Sequence, residues 1–382
     1  MAIYYVNGTT GSNSNNGTST STPWLTIGKA LATGTTVVAG DTINIAPGRY
    51  AETVTVAVSG SSGSPINVHG DADGAIFGTA GQVIWTGFSS GDDAAPTGVP
   101  CNLDGRDWLT FEDLIFHGDD GGATASCINA GTATSQNIVI RRCVFFGQGQ
   151  GYSISIGTTT STQAIWTIDK CSFFGRCRGV FVNHQLGNAT SNVDLDIQIT
   201  NCVFVCAVAG IQVNATGTLG TGRPGGIDVL NCTFALGDYG FNLSTGNFGT
   251  AIPCTVTNSL ILGMGTGGLR AATLGTLTES YNRIVDCAAS LTNVTQGTGT
   301  IVSGIHGIDA HASLIQNIIE RAYFAPPVSG IVNGDGDSSV QPSLDILGDS
   351  RTGTSTVGAY LDTDLASGGL LVHPGMAGGM RG

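Results

Sequence analysis

A repeat constrains this chain more than any other feature. Five stretches, NIVIRRCVFF (137–146), AIWTIDKCSFF (164–174), DIQITNCVFV (196–205), GIDVLNCTFA (226–235) and PCTVTNSLIL (253–262), share one pattern, apolar-x-apolar-x-x-(Cys/Ser)-x-apolar. An earlier copy, WLTFEDLIFHG (108–118), fits with Leu114 at the Cys place, and TLTESYNRIVDC (276–287) is a degenerate later one. Taking the Cys place as reference gives 114, 143, 171, 202, 232 and 259, so the steps are 29, 28, 31, 30 and 27 residues. Eight residues after the reference stand Gly122, Gly151, Gly179, Gly210 and Gly240, with Gly268 one place later. A second alternating run follows, seen as Val180/Val182, Ile211/Val213 and Phe241/Leu243. Period-2 runs exclude helical repeats, and propeller blades of ~40–50 residues are too long. A step of this length with short strands is one turn of a parallel β-helix, each turn stacked ~4.8 Å above the last.

Stacking places like residues on like. The inward ladder is expected to be Cys143, Cys171, Cys202, Cys232 and Ser259, flanked by Phe145, Phe173, Phe204, Phe234 and Ile261. The bend before it holds Asn201, Asn231, Asn258 and Asn282, whose side chains can bond along the stack. Ten cysteines invite a disulfide or zinc reading. Stacked Cβ atoms ~4.8 Å apart exceed the ~3.5–4.5 Å a bridge prefers, and the close pairs Cys171/Cys177 and Cys202/Cys206 lack zinc spacing. Buried, reduced thiols are the expectation.

Composition fits such a stack. Only 11% of residues are charged, against ~25% in ordinary domains. The 59 glycines show no Gly-X-Y period, which excludes collagen, and a hydrophobic content of 41% excludes charge-driven disorder. A net charge of −13 with two lysines argues against nucleic acid, and no apolar run is long enough for a membrane. The start, MAIYYVNG, has no signal-peptide pattern, so a reducing cytosol is the expected place of synthesis.

Several segments resemble the right-handed parallel β-helix superfamily, the pectate-lyase-like fold. YYVNGTTGSNSNNGTSTSTPWLTIGKAL (4–31) is similar to its N-terminal signature, AGDTINIAPGRYAETVTV (39–56) and SPINVHGD (64–71) to its first coils, and LDILGDSRTGTSTVGAYL (344–361) to its closing segment. The resemblance implies an all-β solenoid of about ten rungs. An N-terminal cap with a helix would span 1–38, the parallel β-helix 39–305, a C-terminal helix and closing segment 306–361, and an extended tail 362–382. Thr22 is read as the N-cap of the first helix with Pro23 at N1, and Trp24, Ile27 and Leu31 on one face. DAHASLIQNIIERA (309–322) reads as an amphipathic helix with Leu314, Ile315, Ile318 and Ile319 apolar. This fold hosts lyases, epimerases, tailspikes and inert virion proteins, so the resemblance specifies function weakly.

A lyase of this fold needs a Lys or Arg base near calcium-holding carboxylates. Charge clusters at Glu112-Asp113, Arg141-Arg142 and Asp169-Lys170, with Arg176 and Arg178 after them, making Lys170 and Arg142 the candidate bases. Alternating surface ion pairs, worth ~0–1 kcal/mol each, are the plainer reading. The expected outward column of the last strand, Ser153, Phe181, Gln212, Asn242 and Arg270, holds no carboxylate; that of the first, Val139, Thr167, Gln198, Asp228 and Thr255, holds one. Hydrolases need an acid pair, and neither column supplies it. VNGDGDSSVQPSLD (332–345) resembles a calcium loop but places Ile331 and Pro342 where oxygen donors belong, leaving Asp335 and Asp337 as weak metal candidates. No cofactor is expected.

The outward positions of the Cys strand are unexpectedly apolar: Val144, Phe146, Phe174, Val205, Leu260 and Leu262. A strand apolar on both faces is normally covered on both. Either the chain's own C-terminal region covers it or another subunit does, with Leu370, Leu371, Met376 and Met380 of the tail as further interface candidates. The expectation is a non-enzymatic virion structural protein, a decoration, fibre or appendage subunit of a tailed phage. It would be assembled in the host cytoplasm and partnered by other virion proteins or by itself. The alternative is a carbohydrate-active β-helix enzyme, such as a tailspike depolymerase or polysaccharide lyase, or a glycan-binding adhesin at a host surface.

Overall fold

A computed structural model describes residues 1–88, 98–118, 126–131, 135–147, 151–158, 163–185, 194–216, 225–244, 253–272 and 277–303. Those residues form an all-β, right-handed parallel β-solenoid with almost no helix. Three parallel sheets run the length of the stack; in the order the chain visits them they have ten, ten and nine strands. In each turn the chain visits sheet 1, then sheet 2, then sheet 3. Six regular turns run from Leu109 to Ala271, and shorter strands extend the sheets at both ends. One such turn consists of Asp194–Thr200, Val203–Cys206 and Ala209–Thr216.

The turn between sheets 1 and 2 explains the repeat. A single residue there takes a left-handed backbone: Asp113, Arg142, Lys170, Asn201, Asn231, Asn258 and Tyr281, with φ of 52° to 58°. Asn tolerates this region better than other non-glycine residues, which is why it recurs there. The next residue turns inward and caps carbonyls left at the corner. Cys171 Sγ donates to Asp169 O at 3.3 Å and Ile140 O at 3.6 Å, and Cys202 repeats this with Thr200 and Ile168 at 3.2 and 3.6 Å. Ser259 donates likewise to Thr257 O at 3.0 Å. At each of these corners but the first, where Leu114 stands, the following side chain brings a donor. Asn282 lies opposite Ser259 on this inward ladder, not in the bend as the sequence led us to expect; Tyr281 occupies the bend. Its amide serves the ladder, accepting from Ser259 N and donating to Val256 O, both at 2.8 Å. All ten cysteines are free thiols.

Behind the corner, sheet 2 points a phenylalanine ladder into the core. The rings of Phe116, Phe145, Phe173, Phe204 and Phe234 stack at successive centroid separations of 5.2, 4.9, 4.6 and 4.9 Å. Each fully buried ring contributes ~1.5–3 kcal/mol by leaving water. The glycines make room for them: a Cβ on Gly210 would lie 2.4 Å from Phe234. In the preceding turn Ser153, not Gly151, stands beside Gly179, so Ser155 rather than Ser153 lies next to Phe181 on the outward face.

The N-terminal helix is one short segment, α1 (Ile27–Leu31), that buries Ile27, Ala30 and Leu31. Its N-cap is Thr26, whose hydroxyl accepts from Lys29 N at 3.1 Å, rather than Thr22. Pro23 and Trp24 belong to the extended lead-in, where Trp24 pairs with Val6. The two free N–H groups of Ile27 and Gly28 donate to the Glu52 carboxylate at 2.9 and 2.8 Å. At the opposite end Glu279 stands inward in line with Val256 and accepts from Asn282, Thr300 and Gly297 N, tying 297–300 across the coil. The expected helix at 309–322, the closing segment and the tail lie outside the described residues.

Candidate functional site

The charge cluster that offered candidate bases is built into the bend. Arg142 donates from Nε and Nη2 to both Asp113 oxygens, at 2.8 and 2.7 Å, and from Nη2 to Glu112 at 3.2 Å. His69 Nε2 reaches Asp113 Oδ2 at 3.4 Å, and Arg141 pairs with Glu112 at 3.2 Å. Burial pushes the Asp113 carboxyl up, but the hydrogen bonds from His69 and Arg142 outweigh it and hold the group below its ordinary value. Asp113 in turn raises the Arg142 guanidinium further above its usual range. Lys170 takes the left-handed place directly between Arg142 and Asn201 in the stack. Its neighbour Asp169 is engaged by Thr200 Oγ1 at 2.7 Å and Asn201 Nδ2 at 3.2 Å. This strip is a stacked corner in which His69 and Arg142 both meet Asp113 Oδ2.

The outward face of sheet 3 gathers recognition chemistry. One column runs Ser155, Phe181, Gln212, Asn242 and Arg270, and a second runs Asn183, Asn214 and Ser244. A column missed by sequence reasoning runs Tyr152, Arg178, Ala209, Tyr239 and Gly267. Its signal was available: Arg178 and Tyr239 each precede a ladder glycine, Gly179 and Gly240. The Tyr152 ring stacks on Phe181 at 4.0 Å with 5° between planes. Arg178 lies over Tyr152 at 5.5 Å and donates to Gln212 Oε1. Gln212 Nε2 donates onward to Asn214 Oδ1 at 3.2 Å. Arg270 repeats the arrangement, lying over Tyr239 at 5.4 Å and donating to Asn242 Oδ1 at 3.3 Å. Tyr152 and Tyr239 are three rungs apart, ~14 Å at 4.8 Å per rung. A guanidinium over a tyrosine ring, bonded to a side-chain amide, is thus presented twice along one face.

Sheet 1 carries a shallower groove of about 380 Å³, lined by Gln198, Thr200, Asp228, Thr255, Thr257 and Ser280 among others. Thr255 Oγ1 donates to Asp228 Oδ1 at 2.6 Å. A second acid, overlooked in the sequence, stands diagonally: Asp196 lies opposite Gly226, two residues before Asp228. Their Cα atoms are ~8 Å apart by strand geometry. Asp228 is exposed. Among the described residues, no group of three His, Cys, Asp or Glu could hold a metal ion. Asp335 and Asp337 lie outside the described residues, as do Leu370, Leu371, Met376 and Met380.

The apolar outward positions of sheet 2 are already covered within the single chain. Val144, Phe174, Leu260 and Leu262 are buried, and Phe146 and Val205 are half-buried beside them.

Among solved structures, the chain is similar to pectate lyase Pel9A, with a TM-score of 0.52 and 16% identity over 80% of this chain and 79% of that one. It is also similar to a rhamnogalacturonan lyase, with a TM-score of 0.43 and 19% identity over 75% and 74% of the two chains. A pectin methylesterase from Aspergillus niger follows, with a TM-score of 0.40 and 17% identity over 79% and 85%. The first of these likenesses establishes a pectate-lyase-like right-handed parallel β-helix. No family model matches the chain, and no curated protein matches its sequence.

Proposed function

We propose that this protein is a carbohydrate-active β-helix that holds an extended glycan along the outward face of sheet 3. The observation that carries the reading is the repeated aromatic–guanidinium pair, Tyr152 with Arg178 and Tyr239 with Arg270. An aromatic face takes the apolar side of a sugar ring, and a guanidinium takes a carboxylate by paired, charge-assisted hydrogen bonds. The half-buried amides of Gln212 and Asn214 supply donors and acceptors for hydroxyls beside the two pairs. An acidic polysaccharide is therefore the best-matched ligand class. Pel9A, whose fold the chain shares, is a pectate lyase, which supports a glycan ligand.

This reading takes precedence over the virion role expected from the sequence. A place on a phage particle, with docking to other virion proteins, is supported by the rigid, charge-poor stack, a property any β-helix has. Mass spectrometry of a purified particle containing this chain is its test.

Titration calorimetry of the full chain against polygalacturonate and an uncharged glycan of similar length tests the proposal. Binding of the acidic chain is expected, weakened about tenfold, or ~1.4 kcal/mol, in Arg270→Ala or Tyr239→Ala. Melting temperatures should stay unchanged, since both residues lie on the outward face. Equal affinity for the two glycans, or full affinity in both variants, sinks the reading. Reducing ends that accumulate with the wild type would extend binding to cleavage.

A further inference from the structure

Four cysteines stand on successive turns with one geometry. Cys143, Cys171, Cys202 and Cys232 each follow a left-handed corner residue and point into the core, where all four are 0% exposed. The residues that follow them, Val144, Ser172, Val203 and Thr233, pair rung to rung, so the thiols are stacked neighbours. Each Sγ meets the carbonyl two residues back, at 3.4, 3.3, 3.2 and 3.5 Å in turn. Each also meets a carbonyl of the preceding rung, at 3.6 Å in all four. Repeated contacts of near-equal length mean repeated rotamers, so the Sγ atoms are separated by the rung spacing, ~4.8 Å. Leu114 and Ser259 close the run at its two ends.

That spacing is too long for a disulfide, and all ten cysteines are free thiols. It suits a single atom held between two sulfurs. A metal–thiolate bond is ~2.3 Å, so a cation in line between two thiolates spans ~4.6 Å. Zinc and calcium need four or more ligands, and among the described residues no group of three His, Cys, Asp or Glu could hold a metal. A soft cation satisfied by two collinear sulfurs is the class that remains. Charge narrows it further. Two thiolates and a divalent cation are neutral together, whereas a monovalent cation would leave a net negative charge in an apolar core.

We infer that this ladder binds a divalent, two-coordinate thiophilic cation, one held between Cys143 and Cys171 and a second between Cys202 and Cys232. For each cation two S–H bonds break, two metal–sulfur bonds form and two protons leave to solvent; nothing is oxidised or reduced. In a neutral pair a thiolate serves one cation, so four stacked thiols hold two. The site lies inside the coil, apart from the outward face of sheet 3, and does not depend on the glycan reading. Ser259 shows what a harder ligand does at the same place. It donates to Thr257 O at 3.0 Å, so serine keeps the corner bond while removing the soft sulfur.

Mercury(II) is the probe. The full chain is equilibrated with mercuric chloride in the presence of reduced glutathione, which strips singly held metal, and the bound metal is counted after gel filtration. Cys171→Ser and Cys202→Ser each break one pair and should each hold one cation fewer than the wild type. The double variant leaves only Cys143 and Cys232, three rungs or ~14 Å apart, and should hold two fewer. The other six cysteines are present in every chain, so their share cancels. Equal counts in the wild type and the double variant overturn the inference. X-ray absorption of the loaded wild type needs no variant and should show mercury with two sulfurs at ~2.3 Å. Three or four sulfurs around the metal, or oxygen and nitrogen ligands, also overturn it.

Discussion

The outward faces of sheets 2 and 3 belong to the same turns, yet they have opposite chemistry. In the turn around Asn201, Val203 points outward from sheet 2 and is fully buried, while Gln212 points outward from sheet 3 and is half-buried among amides. Inward residues of both strands, Phe204 and Ile211, share one core. The inward ladder therefore fixes the stack, and each outward face is free to acquire its own task. One face became a second core. The other kept arginines and amides, which a packed apolar interior would reject.

A matched pair of substitutions on that single turn gives the largest expected effect. Val203→Asp places an unpaired carboxylate in an apolar contact and should cost ~3 kcal/mol or more. Gln212→Asp, an outward polar exchange beside Arg178, should stay within ~0.5 kcal/mol. Urea unfolding of both variants reads the difference directly. Similar losses in the two would mean that the faces do not differ as described.

The bend bordering sheet 2 supplies a smaller effect that depends on pH. The hydrogen bond to Asp113 raises the His69 pKa, against the opposing effect of burial. His69 therefore contributes stability that is fully present below its unfolded value of ~6.5 and is lost as pH rises through the higher folded value. Asp113, held low in the fold, contributes above its unfolded value of ~3.9, and that share is lost as pH falls through its depressed folded value. His69→Gln should flatten the upper slope and leave acid unfolding in place, as measured by urea midpoints from pH 5 to 9. An unchanged upper slope would place the titrating group elsewhere.

The inward ladder was legible because stacking turns one residue's environment into five. Cys, Ser and Phe recur at fixed places, since the corner carbonyls and the core volume recur. The face of sheet 3 was less legible for a geometric reason. From Phe145 to Ile154 the chain takes nine residues, whereas from Phe173 to Val180 and from Phe204 to Ile211 it takes seven. Those two extra residues displaced the sequence register, so Ser153 was set beside Phe181 and Tyr152 was overlooked. Asn282 misled for another reason. An asparagine suits both a left-handed bend and a carbonyl-capping corner, and only the pairing with Ser259 tells which one it fills.

Lys170 gives the smallest expected effect and separates two roles most cleanly. It was read from sequence as a candidate base, and it lies at a left-handed position with φ of 55°, next to Asn201 at 53°. If the position is a backbone corner, asparagine is its better occupant. Lys170→Asn should then stabilise the chain by about 0.5 kcal/mol, because the strain of a left-handed lysine is relieved. Arg142→Asn, at the same corner one rung earlier, should instead destabilise it, since Asp113 would lose its paired guanidinium. Glycan binding on sheet 3 should survive both changes. Loss of glycan cleavage in Lys170→Asn, with a gain in stability, would show that the corner also carries chemistry and would return the lyase base to the first sheet's edge.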